Sequence, residues 1–139
     1  MSGGMAPEPA RFAFVAFTGR TDLWWLRLLK PGFRHCCLVL HDGTRWLLYD
    51  PMAHATALQS LEVPPGETPA EPLLAEGYVV VPARVRQAPL RPAPLAPFTC
   101  VEAVKRALGV HARGIVTPWA LYRHLVKKEK ILDIGTKTA

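Results

Sequence analysis

The sequence predicts a small α+β domain, a mainly antiparallel sheet with helices packed against it. Three observations lead there. Short runs rich in apolar, β-branched and aromatic residues occur at 11–19, 34–40, 45–50 and 78–85. Asp42-Gly43 stands between two of these runs, the strongest short-range sign of a β-hairpin. Two later segments, opening at Thr99 and at Thr117-Pro118, carry helix start signals. A chain of 139 residues, half of them hydrophobic, suits one domain with a real core. No internal repeat is visible. The expected organisation is a flexible N-terminus at 1–10, a single domain at 11–130 and a C-terminal tail at 131–139.

Each element has its own reason. Residues 11–19 alternate Phe with smaller residues and read as a first strand, stopped at Gly19. Residues 21–30 read as a short helix before Pro31-Gly32. In the hairpin, a two-residue type I′ loop at Asp42-Gly43 would pair His41 with Thr44, Val39 with Trp46, Cys37 with Leu48 and His35 with Asp50. Residues 57–63 form a weak further strand, and 64–72 read as a Pro/Glu/Gly loop. Residues 78–85 form a strand that ends or bulges near Pro82. The Pro-rich stretch 87–97 must be extended. It delivers the chain to a helix with Thr99 as N-cap, Glu102 completing a capping box and Gly109 as its stop. A second helix has Pro118 at its first position and runs to about Val126 or Lys128.

The chemistry concentrates at three residues: His35, Asp50 and Cys100. Directly opposed residues in a hairpin share a face, with Cβ atoms about 4.5–5.5 Å apart. The expected register therefore sets a carboxylate beside an imidazole, which fixes the tautomer and stabilises the charged ring. Cys100 is the first residue of its helix, where the dipole and unpaired N–H groups favour thiolate over thiol. The same N–H groups are suited to holding an oxyanion. Together these are the parts of a thiol acyl-transfer site. Nothing in the spacing alone links Cys100 to His35. Blander readings exist for each: His35 satisfied structurally by Asp50, Cys100 a small buried hydrophobe, and Asp50 a turn former before Pro51. Cys36 and Cys37 read as core residues, with Cys37 on the His35 face as a minor rival nucleophile. Trp46 shares that face and is a tentative wall of a substrate groove. Trp119 and Tyr122, three apart on one helix, read as core.

The order His, acid, then helix-starting Cys resembles the circularly permuted branch of the NlpC/P60 papain-like superfamily, including its small phage-associated and bacterial members. The stretches that carry the likeness are Gly32-Phe33-Arg34-His35, Trp46-Leu47-Leu48-Tyr49-Asp50-Pro51, Phe98 through Gly109, and Thr117-Pro118-Trp119-Ala120-Leu121-Tyr122. They span roughly residues 30–125. The resemblance implies a permuted papain-like architecture, with Cys100 as nucleophile, His35 as base and Asp50 as orienting residue. It also implies cysteine peptidase or amidase activity on peptide substrates of the peptidoglycan type. Two alternatives remain open: a lipid-acting thiol acyltransferase, which permuted relatives include, and a non-enzymatic assembly protein that keeps the fold.

Composition narrows the partners. The net charge is +6, but the basic residues are scattered, and only Lys127-Lys128-Glu129-Lys130 forms a cluster. Specific nucleic-acid binding is not expected, because no recognition motif or aromatic platform interleaved with basic residues appears. Three cysteines argue against a disulfide framework. Cys36 faces away from His35 and Cys37 in a strand, so the group His35, Cys36, Cys37 and His41 does not converge on a metal. Neither a metal nor another cofactor is expected. Trp24 and Trp25 suggest a membrane surface as a lesser alternative to core packing. No secretory signal or transmembrane run is legible, so the expected location is the cytoplasm or a phage particle.

Overall fold

The computed structural model describes residues 11–20, 29–52, 55–86 and 98–136. The expected helix at 21–30, the Trp24-Trp25 pair, the N-terminal segment and the Pro-rich stretch 87–97 lie wholly or mainly outside them. Five strands form one antiparallel sheet: β1 (Arg11–Thr18), β2 (His35–His41), β3 (Trp46–Pro51), β4 (Thr56–Leu61) and β5 (Val79–Val85). Their order across the sheet is β4-β3-β2-β1-β5. Three helices complete the described residues: α1 (Ala70–Ala75), α2 (Cys100–Leu108) and α3 (Pro118–Thr136). The α+β class expected from the sequence is the one observed.

Strand periodicity builds the core. Ala13, Val15 and Phe17 of β1, Cys36 and Leu38 of β2, and Val81 and Ala83 of β5 project to one face. Val101, Val104 and Leu108 of α2 cover that face together with Leu121 and Leu125 of α3. The spacings i, i+3, i+7 in α2 and i, i+4 in α3 each align one apolar stripe with the sheet. Burying a side chain of this size contributes about 1.5–3 kcal/mol. The opposite face holds an aromatic group in which Trp46 stacks on Phe14 at 5.6 Å and meets His41 at 4.9 Å.

The hairpin differs from expectation in its loop. Observed partners are Leu38 with Tyr49, Val39 with Leu48, Leu40 with Leu47 and His41 with Trp46. The pairing is therefore displaced by two residues, and the loop is the four residues Asp42-Gly43-Thr44-Arg45. Asp42 explains the change. Its Oδ1 accepts hydrogen bonds from the backbone N–H groups of Thr44 and Arg45, both at 2.8 Å, and its own N–H donates to the Arg45 carbonyl at 3.0 Å. A type I′ turn needs positive φ at both central residues, but only Gly43 has it, at 102°. A displacement of two leaves every side chain on its expected face, whereas a displacement of one would invert them all.

Other boundaries also move. The expected loop holds over 64–69, but its last three residues open α1, whose Pro72 lies in the first turn, where its missing N–H costs no helical bond. β5 passes through Pro82 without ending. It is an edge strand with β1 as its one partner in the sheet, and Pro82 stands opposite Phe14. An edge strand tolerates a residue without a donor. The third helix runs to Thr136, well past the expected end, because Lys and Glu in the charged cluster are good helix formers. It thus occupies much of the segment read as a tail. Thr117 caps it as expected, its Oγ1 accepting from the Ala120 N–H at 3.2 Å. Gly109, at φ 76°, ends α2 in the left-handed conformation. Val110 N–H then returns to the Lys105 carbonyl at 2.8 Å.

Two contacts fix the start of β2. Phe33 packs between Trp119 at 4.8 Å, Tyr122 at 4.9 Å and Phe17 at 5.6 Å. The Arg34 N–H donates to the Thr18 carbonyl at 2.9 Å. The residue that follows is His35.

Candidate active site

His35 opens β2 and Asp50 lies near the end of β3, so both sit at one end of the sheet. Continuing the observed register sets Cys37 across from Asp50 and places His35 one step along the diagonal. Diagonal neighbours on one face remain within reach of longer side chains. His35 Nε2 and Asp50 Oδ1 are 2.6 Å apart, with 20% and 26% of the side chains exposed. The expected contact forms, although not through direct opposition. The Nε2–H donates to the carboxylate, which leaves Nδ1 for a second partner.

Cys100, the first residue of α2, packs against the core cluster that contains Cys36, and both Cys36 and His35 act on its proton. The Cys100 thiol is pulled down from its ordinary value to about 5. The hydrogen bond from the Cys36 thiol is the largest cause. The His35 side chain and the Cys36 N–H add to it, and partial burial opposes it. His35 moves the other way. Burial works against its charge, yet the bonds to Cys100 and Asp50 outweigh it and raise the ring to about 9. The two shifts describe one thiolate–imidazolium pair, ionised across the neutral range.

The helix start departs from its expected capping. Thr99 has extended backbone, with φ −109° and ψ 179°, but its hydroxyl makes no cap hydrogen bond. Glu102 does not reach back to complete a capping box. It turns forward, accepting from Lys105 Nζ at 3.3 Å and Arg106 Nε at 3.1 Å. Two cations at i+3 and i+4 outcompete the backbone N–H for the carboxylate. The Thr99 hydroxyl therefore consumes none of the first-turn N–H donors beside Cys100.

Sequence reasoning assigned Cys36 to the core, and it is fully buried there. It also touches the candidate nucleophile, a role that reading missed. The signal was available: the helix carrying Cys100 had to cover the apolar face of β2, and Cys36 is the first residue on that face. Cys37 points to the other side, buried opposite Asp50. Burial, with the Asp50 and Cys100 charges, pushes its thiol up to about 12, which suits a core residue rather than a rival nucleophile.

Trp46 is not brought to this site. It lies at the far end of the β2–β3 hairpin, about 20 Å away by strand rise. It lines a separate open cavity of about 890 Å³ with His41, Arg45, Ser60 and Glu62. Its expected role as a groove wall beside His35 is therefore corrected.

No model of a known protein family, no curated protein and no solved structure gives a significant match to this chain. The case for any activity rests on the residues themselves. Among the described residues, no helix is long and apolar enough to cross a membrane.

Proposed function

We propose that this protein is a thiol hydrolase of permuted papain-like type that cleaves an amide bond, with Cys100 as nucleophile, His35 as acid–base and Asp50 as orienting residue. One observation carries the reading: a partly buried cysteine at a helix start, its thiol pulled down to about 5 by Cys36 and by a histidine whose Nε2 is bonded to a carboxylate. Core cysteines have raised pKa values, as Cys37 does. Lowering a thiol to about 5 inside a partly buried site requires aligned partners, and perturbed groups of this kind cluster at functional sites.

The chemistry follows from the positions. The Cys100 thiolate attacks the carbonyl carbon of the substrate amide. First-turn N–H groups of α2 stabilise the developing oxyanion. The His35 imidazolium passes its Nδ1 proton to the leaving amine, and a thioester remains on Cys100. Neutral His35 then takes a proton from water, which attacks the thioester and frees the acid. Asp50 holds the ring orientation throughout and stabilises its charged form. The substrate class favoured by the sequence resemblance is a peptide of the peptidoglycan type. The chain order His35, Asp50, Cys100, with the helix of Cys100 packed on the strand of His35, supports the permuted layout.

The test measures iodoacetamide alkylation of each cysteine against pH by mass spectrometry, in the wild type and in His35→Ala. It is followed by a screen of peptidoglycan peptides with Cys100→Ala as control. Fast Cys100 labelling at pH 6 that the His35 variant loses, together with turnover that Cys100→Ala abolishes, supports the reading. Labelling only near an ordinary thiol pKa of about 8.5, unchanged in the variant, overturns it.

A further inference from the structure

Two thiols meet at the candidate site, and the hydrolytic cycle uses one of them. We propose that Cys36 is the resolving partner of Cys100, so that a hydroperoxide converts the pair to a reversible intramolecular disulfide. The placement carries this. Cys36 belongs to the buried cluster on β2, where it stands opposite Phe17, and Cys100 packs against that cluster from the start of α2. Cys36 and Cys100 meet in the packed cluster between β2 and the start of α2, and each thiol is the largest influence on the other's proton. All three cysteines are free. Cys37 is excluded as the partner, since it pairs with Ala16 and projects to the face of β2 opposite Cys36.

The exposures divide the roles. Cys100 is partly exposed and is the thiolate, so it is the sulfur that an oxidant reaches. Cys36 is fully buried, so it meets Cys100 before any thiol from solution. The steps balance. The Cys100 thiolate attacks one peroxide oxygen, the O–O bond breaks, and a sulfenic acid forms on Cys100. The departing hydroxide or alkoxide takes the proton of the His35 imidazolium and leaves as water or alcohol. Loss of the thiolate charge also removes the main influence holding the Cys36 proton in place. The Cys36 sulfur then attacks the Cys100 sulfur, the S–O bond breaks, and the hydroxyl leaves as water with the Cys36 proton. Two electrons pass from the two thiols to the peroxide. A solution dithiol reverses the change by exchange.

The Cys100 thiolate and the His35 proton serve both this inference and the hydrolase reading, and the experiment separates the two. The full chain is treated with hydrogen peroxide, with and without dimedone, then digested and mapped by mass spectrometry without reduction. The expected result is a linked Cys36–Cys100 peptide lighter by two hydrogens, with Cys100 alkylation lost and then restored by dithiothreitol. In Cys36→Ala, Cys100 should instead accumulate as the dimedone adduct and pass on to sulfinic acid. A circular-dichroism melt shows whether that variant is folded. If it is not, the wild-type map decides alone. A Cys100–dimedone adduct in the wild type without the linked peptide overturns the inference and leaves the thiolate standing. A link through Cys37, or between two chains, also overturns it. A Cys100 that neither oxidises nor alkylates below its ordinary pKa overturns both readings.

Discussion

His35 Nε2 and Asp50 Oδ1 stand 2.6 Å apart, although the register of β2 and β3 does not set the two residues directly opposite each other. The diagonal suits a wide, planar acceptor. It lets the carboxylate meet the ring edge while Cys37, two residues along β2, stays buried. Cys100 then approaches from the helix side. The dyad is thus assembled across a strand end, where the chain enters β2 and is free to present the His35 ring to both partners.

The first expected outcome concerns pH. Cys100 must have lost its proton to attack, so activity rises as pH passes about 5. His35 must keep its proton to release the amine, so activity falls as pH passes about 9. Hydrolysis of a responsive substrate should follow a bell between those limits, read as kcat/KM of the free enzyme. Alkylation needs only the thiolate and should show the acid limb near 5 without a matching loss near 9. A hydrolytic profile with one rising limb near pH 8.5 would contradict the ion pair.

Asp50→Asn should separate orientation from charge. The amide keeps the size of the carboxylate but removes its charge and offers a donor where an acceptor is needed. The Asp50 bond and charge both raise His35, so the alkaline limb should move below 9. The rate at neutral pH should drop by about 10²-fold or more, the range typical of impaired acid–base catalysis. Since Asp50 is partly exposed, the fold should survive, and a thermal melt checks this. An unmoved alkaline limb would show that Asp50 does not act through His35.

These three residues were legible in the sequence because each carries a local mark. His35 and Asp50 flank a hairpin signal, and Cys100 follows a residue with cap chemistry. What stayed hidden was competition between local interactions. Asp42 closes its loop through its side chain, which moved the register by two while leaving the faces intact. Glu102 prefers Lys105 and Arg106 to the backbone, so the capping box did not form. Cys36 was hidden for another reason. Alternation along β2 placed it away from His35, but His35 begins the strand, and a helix covering the far face still reaches both residues. Strand periodicity sorts side chains into faces and is silent about the ends.

Cys36→Ala should raise the Cys100 pKa, because the Cys36 thiol is the largest single cause of its lowering. The alkylation midpoint should move up from about 5 toward the ordinary thiol range, and labelling at pH 5 should fall about fivefold for a shift of one pH unit. Cys36→Ser retains a donor and should hold the midpoint nearer its wild-type position. A purely structural role for Cys36 would lower the melting temperature in both variants and move the midpoint in neither.

The last expected outcome concerns what holds α2, and with it Cys100, against the sheet. Glu102 and Lys105 are buried, with 4% and 3% of their side chains exposed. Lys105 also donates to the Ile115 carbonyl at 3.4 Å, which joins α2 to the segment leading into α3. A buried pair is expensive to break from one side. Glu102→Leu strands the Lys105 ammonium with a single carbonyl partner and should cost about 3–5 kcal/mol in urea unfolding. Lys105→Met should cost less, because Glu102 keeps the Arg106 guanidinium. The double variant Glu102→Leu/Lys105→Met removes both buried charges and should recover part of the loss, giving a clear coupling in the double-mutant cycle. Equal costs for the two single variants, with simple additivity in the double, would mean that the pair does not anchor the helix. Neither residue is among the groups that move the Cys100 thiol, so folded Lys105→Met should keep its alkylation midpoint near 5. That outcome would assign the pair to the scaffold and leave Cys36, His35 and Asp50 as the groups that set the chemistry.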